Sequence, residues 1–151
     1  MEKFHEKLKM LRKKEGLTQQ EVAELVHVER GVYTNWELGN RNPNYENLSM
    51  LACVFDVSID YLLGDYLEIS KERYLKIKES DLMKTSNVFP KRLKELRLKK
   101  GLTQTELGEK VGVKQNTFTN WENGKREPNF ENLIKIADLL EVSVDWLFGR
   151  E

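Results

Sequence analysis

The sequence has one cysteine, Cys53, and two histidines, His5 and His27. A single thiol forms no internal disulfide, and two isolated imidazoles fall short of a Cys/His ligand set, so neither a disulfide scaffold nor a metal site is expected. No apolar run reaches the roughly 18 residues of a membrane span. The opening residues, MEKFHEKLKMLRKKEG, mix charge with apolar side chains instead of supplying the apolar run of about 7–15 residues that marks a signal peptide. A reducing, cytoplasmic setting without membrane attachment is therefore the expectation. An excess of charge is missing as well: 25 Lys+Arg stand against 25 Asp+Glu. That balance excludes a general polycationic coat and a strongly acidic tail. No polar/apolar alternation is long enough for a sheet, and no P-loop, G-x-G-x-x-G, Ser/His/Asp or Cys/His set or paired-carboxylate pocket stands out. An enzyme is not expected, and no cofactor is implied.

What is present is core material and a repeat. The hydrophobic fraction is 39%, with three Trp, six Phe and five Tyr, too much for a disordered chain. Written under itself with an offset of 85, the chain aligns Phe4–Gly64 with Phe89–Gly149 without a gap and with about half of the positions identical. GLTQQE matches GLTQTE, TNWELGNRNPNYENL matches TNWENGKREPNFENL, and VSIDYLLG matches VSVDWLFG. The chain reads as two copies of one small domain, residues 1–66 and 87–151, joined by a linker at 67–86.

Each copy reads as five short helices. In the first, Phe4, Leu8 and Leu11 share one face and Gly16 stops the helix. Thr18 and Glu21 form a capping box opening a second helix with Val22, Leu25 and Val26 inward. A third helix from Arg30 presents Val32 and Trp36 to the core. Asn44 caps a fourth, with Leu48, Leu51, Ala52 and Phe55 inward and Cys53 on the core-facing side. Ser58 caps a fifth, with Asp60 in its first turn, where the helix dipole favours an acid. Domains this small need their large apolar residues for the core. Trp36, Trp121 and Trp146 are accordingly structural, and an aromatic nucleic-acid platform is rejected.

The run from Gly101 to Gly149, and the matching run from Gly16 to Gly64, resembles the Cro/C1-type (XRE-like) helix-turn-helix family of bacterial and phage DNA-binding regulators. The motifs T-Q-x-E-[L/V], W-E-x-G-x-R-x-P and V-S-x-D-x-L carry the resemblance in both copies. It implies an all-α chain of two tandem five-helix lambda-repressor-like domains whose partner is double-stranded DNA. The helix from Thr103 would cross the phosphate backbone, and the next would enter the major groove by its N-terminal residues. The implied contact residues are Gln104, Lys114, Gln115, Asn116, Thr119 and Asn120, with Lys125 and Arg126 on phosphate. In the first copy they are Gln19, Arg30, Thr34, Asn35 and Arg41. Arg12 with Glu37, and Arg97 with Glu122, match positions of a buried ion pair in this family. Losing one partner would strand a charge, at about 3–5 kcal/mol.

The copies differ in ways that bear on function. Residues 1–66 carry eight basic and eleven acidic side chains, net −3; residues 87–151 carry twelve and ten, net +2; the linker carries five and four, net +1. The second copy is therefore the stronger phosphate binder. His27 replaces Gly112 at the turn, Glu29 replaces Lys114, and Gly31 replaces Asn116. Either the first domain reads a different half-site, with Arg30 on a guanine, or it serves as a protein-binding or dimerising module. The linker has no Gly or Pro. As a helix it would reach about 30 Å, against about 34–36 Å between half-sites; a solvated connector and a dimerising helix both remain open. The leading expectation is a repressor that occupies an operator, alone or as a homodimer. The competing one is an antitoxin-like or phage-type protein-binding adaptor.

Overall fold

In the computed structural model, residues 3–64 and 85–150 are described, with side chains from residue 88 in the second stretch. They fall into two compact units, one per repeat. The first holds α1 (Phe4–Lys14), α2 (Gln19–Leu25), α3 (Arg30–Leu38), α4 (Tyr45–Val54) and α5 (Ile59–Leu63). The second holds α6 (Thr85–Lys99), α7 (Gln104–Val111), α8 (Gln115–Glu122), α9 (Phe130–Leu140) and α10 (Val144–Leu147). No strand occurs among the described residues. The expectations for the linker lie outside them, except that α6 already begins at Thr85 and so carries Pro90 in its interior.

The helix starts follow the local chemistry. Thr18 Oγ1 accepts from the Glu21 amide at 3.1 Å while the Glu21 carboxylate accepts from the Thr18 amide at 3.2 Å, which closes the capping box. Asn44 and Asn129 cap α4 and α9 by accepting from the amides of Asn47 and Asn132 at 2.8 and 2.9 Å. Ser58 and Ser143 do the same for the fifth helices, at 2.7 and 2.9 Å. Each cap satisfies an amide that the first helical turn leaves without a backbone partner.

In the first unit α1 packs on α3 and α5, α2 on α3, and α4 on α5; in the second α6 packs on α8 and α10, α7 on α8, and α9 on α7 and α10. Leu8, Leu11, Leu48, Leu51, Ala52 and Phe55 are buried as expected. Each buried large aliphatic side chain contributes about 1.5–3 kcal/mol. Three expected positions are corrected. Leu25 is 50% exposed and Val32 42% exposed, because α2 buries Val22 and Ala23 while α3 turns Tyr33, Trp36 and Glu37 inward. Cys53 is exposed; it lies between the buried rows of α4, where the second copy has Asp138. Trp146 is only half-buried. The Arg92 guanidinium lies 4.3 Å from its ring centroid and also donates to its carbonyl oxygen. In the first unit Lys7 takes the same place, 5.0 Å from the Tyr61 ring centroid and donating to the Tyr61 carbonyl at 2.8 Å. A cation from the first helix thus fastens the last helix of each unit.

Candidate nucleic-acid interface

The third helix of each unit is held by a buried carboxylate at its C-terminal end. Arg12 donates to Glu37 through Nε at 2.5 Å and through Nη2 at 3.2 Å, and gives Nη1 to the Leu17 carbonyl at 3.0 Å. Arg97 repeats this on Glu122, at 2.5 and 3.3 Å, with Nη1 on the Leu102 carbonyl at 2.8 Å. The two glutamate side chains are each 2% exposed. Two parallel bonds of this kind fix angle as well as distance, so the first helix sets the orientation of the third. The ion pairs implied by the family resemblance are thus both formed.

Gln19 and Gln104 belong to the same clusters, which the sequence did not reveal. Gln19 Nε2 donates to Glu37 at 2.9 Å, and its Oε1 accepts from the Thr34 hydroxyl at 3.1 Å. Gln104 Nε2 donates to Glu122 at 2.7 Å and its Oε1 accepts from Thr119 at 2.8 Å. Each Gln is half-buried at the first residue of its helix. Arg, Gln, Thr and Glu are the same in both copies at one shared offset, but so are many of their neighbours, so identity between the copies does not single them out.

The first unit adds a fourth donor. Tyr33 gives its hydroxyl to Glu37 at 2.8 Å, where the second unit has Phe118. Burial alone would raise the Glu37 pKa, but the hydrogen bonds from Arg12, Gln19 and Tyr33 outweigh it and hold the carboxyl below its ordinary value. The hydrogen bond that Arg12 donates to Glu37 raises the Arg12 pKa, and burial together with Glu37 pushes the Tyr33 phenol up.

On the opposite side, α8 presents a polar surface. Lys114, Gln115, Asn116 and Thr117 are exposed, while Thr119 and Asn120 are half-buried one turn further on. Gln and Asn carry a donor and an acceptor in one plane, and Lys only donors. Past Gly124, whose φ of 74° turns the chain, Lys125 and Arg126 are exposed and their amides donate to the Asn120 carbonyl at 3.0 and 3.3 Å. Lys114 is the N-cap residue of α8 and makes no side-chain cap; a cation there opposes the helix dipole and leaves the site open to an anion. In the first unit Arg30 and Arg41 are exposed, Thr34 and Asn35 half-buried, and Asn35 Oδ1 accepts from Asn40 at 3.3 Å. Glu29 stands at the N-cap. Thr117, and Val32 at its counterpart position in the first unit, are exposed beside these residues; the sequence reading gave Thr117 no role and placed Val32 in the core. No cluster of three potential metal-ligating side chains occurs among the described residues, and no helix there is long and apolar enough to cross a membrane.

Two short helices set by a turn, the second displaying planar amides and flanked by basic side chains, define a helix-turn-helix module. The profile of the helix-turn-helix family matches twice, at residues 8–62 and 93–147, and the chain belongs to that family, of Cro/C1 type. Among its relatives, YqaE of Bacillus subtilis, named as an uncharacterized HTH-type transcriptional regulator, is 47% identical over 60 residues, covering 40% of this chain and 52% of that protein. ImmR of the same organism, an HTH-type transcriptional regulator, is 43% identical over 61 residues, 40% of this chain and 48% of its own length. RstR, a cryptic phage CTXphi transcriptional repressor of Vibrio cholerae, is 42% identical over 48 residues, 32% of this chain and 43% of its own. The chain spans about half the length of these curated relatives. No solved structure matches it significantly.

Proposed function

We propose that the chain is a sequence-specific DNA-binding transcriptional regulator, a repressor that acts by occupying its operator and not by catalysis. The carrying observation is the face of α8: Gln115 and Asn116 stand exposed at its N-terminal end, Thr119 and Asn120 follow one turn later, and Phe118, Trp121 and Glu122 are buried behind them. A helix fixed from behind and polar in front reads base edges by position, while Lys125 and Arg126 take phosphates. Names of relatives as transcriptional regulators and as a repressor support the reading. Two copies in one chain supply the pair of recognition helices for which a single-copy protein must form a dimer.

The test is selection of bound sequences from random duplex DNA by the full-length chain. One recovered motif with two spaced half-sites is expected, whereas no enrichment would favour a protein partner. Gln115→Ala is expected to weaken binding to the selected site by about 1–3 kcal/mol and to relax one base position. Equal affinity across a panel of single-base operator variants before and after the substitution would remove Gln115 from the interface.

A further inference from the structure

The clusters behind the recognition helices have a definite direction of hydrogen bonding. A carboxylate only accepts, so Glu122, already receiving two bonds from Arg97, also receives the Gln104 amide nitrogen at 2.7 Å. That orients the amide with its oxygen toward Thr119, and an amide oxygen only accepts. The Thr119 hydroxyl, 2.8 Å away, therefore gives its one proton inward. What remains on its outer side is lone pairs. Thr119 is half-buried, one turn after the exposed Gln115 and beside Asn120, so its oxygen borders the polar face of α8.

The first unit reaches the same result with an extra acceptor. Thr34 Oγ1 lies 3.1 Å from Gln19 Oε1 and 2.9 Å from the Arg30 carbonyl oxygen. Both are acceptors, so its proton is likewise committed to the protein. Gln19 is oriented by Glu37 at 2.9 Å, as Gln104 is by Glu122.

We propose that the chain Arg97–Glu122–Gln104–Thr119 fixes Thr119 as an acceptor facing the major groove, so that α8 favours a base with an exocyclic amino group at one position of its half-site. In that groove adenine N6 and cytosine N4 are donors, while guanine O6 and N7 and thymine O4 are acceptors. Adenine or cytosine can satisfy the Thr119 oxygen; guanine and thymine set acceptor against acceptor. The proposal rests on the DNA-binding reading above. Gln104 is here a positioning residue: it sets the polarity of Thr119 from behind.

Selection from random duplex DNA with the full-length chain and three variants tests this. The wild type should prefer adenine or cytosine over guanine and thymine at one position, by about two- to tenfold, the size of one neutral hydrogen bond. Thr119→Val should abolish that preference there while the other positions keep theirs, and Thr119→Ser should retain it. Gln104→Met, which releases the hydroxyl proton, should admit guanine or thymine at the same position; the two Thr119 variants decide the matter alone if this one does not fold. An unchanged preference in Thr119→Val overturns the contact, an unchanged one in folded Gln104→Met overturns the relay, and a wild-type preference for guanine or thymine at the Thr119-sensitive position overturns the polarity. Failure of the wild type to enrich any sequence instead overturns the DNA-binding reading beneath the proposal.

Discussion

Glu37 carries three tasks on one carboxylate: it anchors α1 through Arg12, orients Gln19 at the start of α2, and receives the Tyr33 hydroxyl from its own helix. Taking the charge out of water is costly, and four hydrogen bonds offset that cost only while the group is ionised. Its pKa lies below the ordinary 4.5 in the folded state. A depressed carboxyl pKa stabilises the fold fully above the unfolded value and loses that contribution as pH falls through the folded one. The first unit should therefore lose stability as pH drops below about 4.5. Urea unfolding followed by the NMR signals of residues 3–64 checks this: Glu37→Gln should be less stable at neutral pH and show a shallower fall in acid, and parallel acid curves for the two proteins would sink the assignment. The Arg–Glu pairs themselves were legible, because the family resemblance places them. The glutamine's second role was not, since a Gln near a helix start reads equally as a cap-proximal surface residue or a phosphate contact, and only the third dimension brings it to a residue 18 positions away.

Short helices explain which faces were misjudged. α2 has seven residues and α3 nine, so a 3.6-residue period is sampled barely twice and neighbouring faces are hard to separate. Leu25 and Val32 fit an apolar stripe in one dimension, yet the inward turn of Glu37 rotates α3 so that Tyr33 replaces Val32 in the core. Ends were far more legible than faces, because a Thr, Asn or Ser cap acts locally through its own oxygen on an amide three residues on. The turn before the third helix was legible from local chemistry as well. His27 at φ 59° and Gly112 at φ 94° both take the left-handed conformation there. A Cβ on Gly112 would meet nothing within 4 Å, so Gly112→Ala isolates backbone strain from packing. It should destabilise the second unit by about 1 kcal/mol with its binding preferences intact, as read from thermal unfolding beside site selection. An altered base preference would show that the turn also steers α8.

At the scale of the whole molecule, duplication gives one chain two versions of the same helix-turn-helix head on different electrostatic backgrounds. A whole-chain charge of zero conceals −3 in residues 1–66 and +2 in residues 87–151. The framework is shared: bidentate Arg–Glu pair, glutamine relay, capped helices and a cation over an aromatic ring of the fifth helix. The differences that bear on charge sit on the outside, where Glu29, Arg30 and Gly31 answer Lys114, Gln115 and Asn116, and Asn40 answers Lys125. We propose from this that both heads meet DNA but that the second supplies most of the phosphate attraction. Each phosphate neutralised adds about 0.9 to the slope of log affinity against log salt. Replacing both Lys125 and Arg126 by alanine in the full-length chain should lower that slope by about two for every DNA sequence alike, whereas Arg41→Ala should lower it by about one at most. Titrations of operator and unrelated duplexes over a series of salt concentrations give these slopes directly. A loss confined to the operator would turn Lys125 and Arg126 into base readers, and a larger effect of Arg41→Ala would reverse the ranking of the two heads.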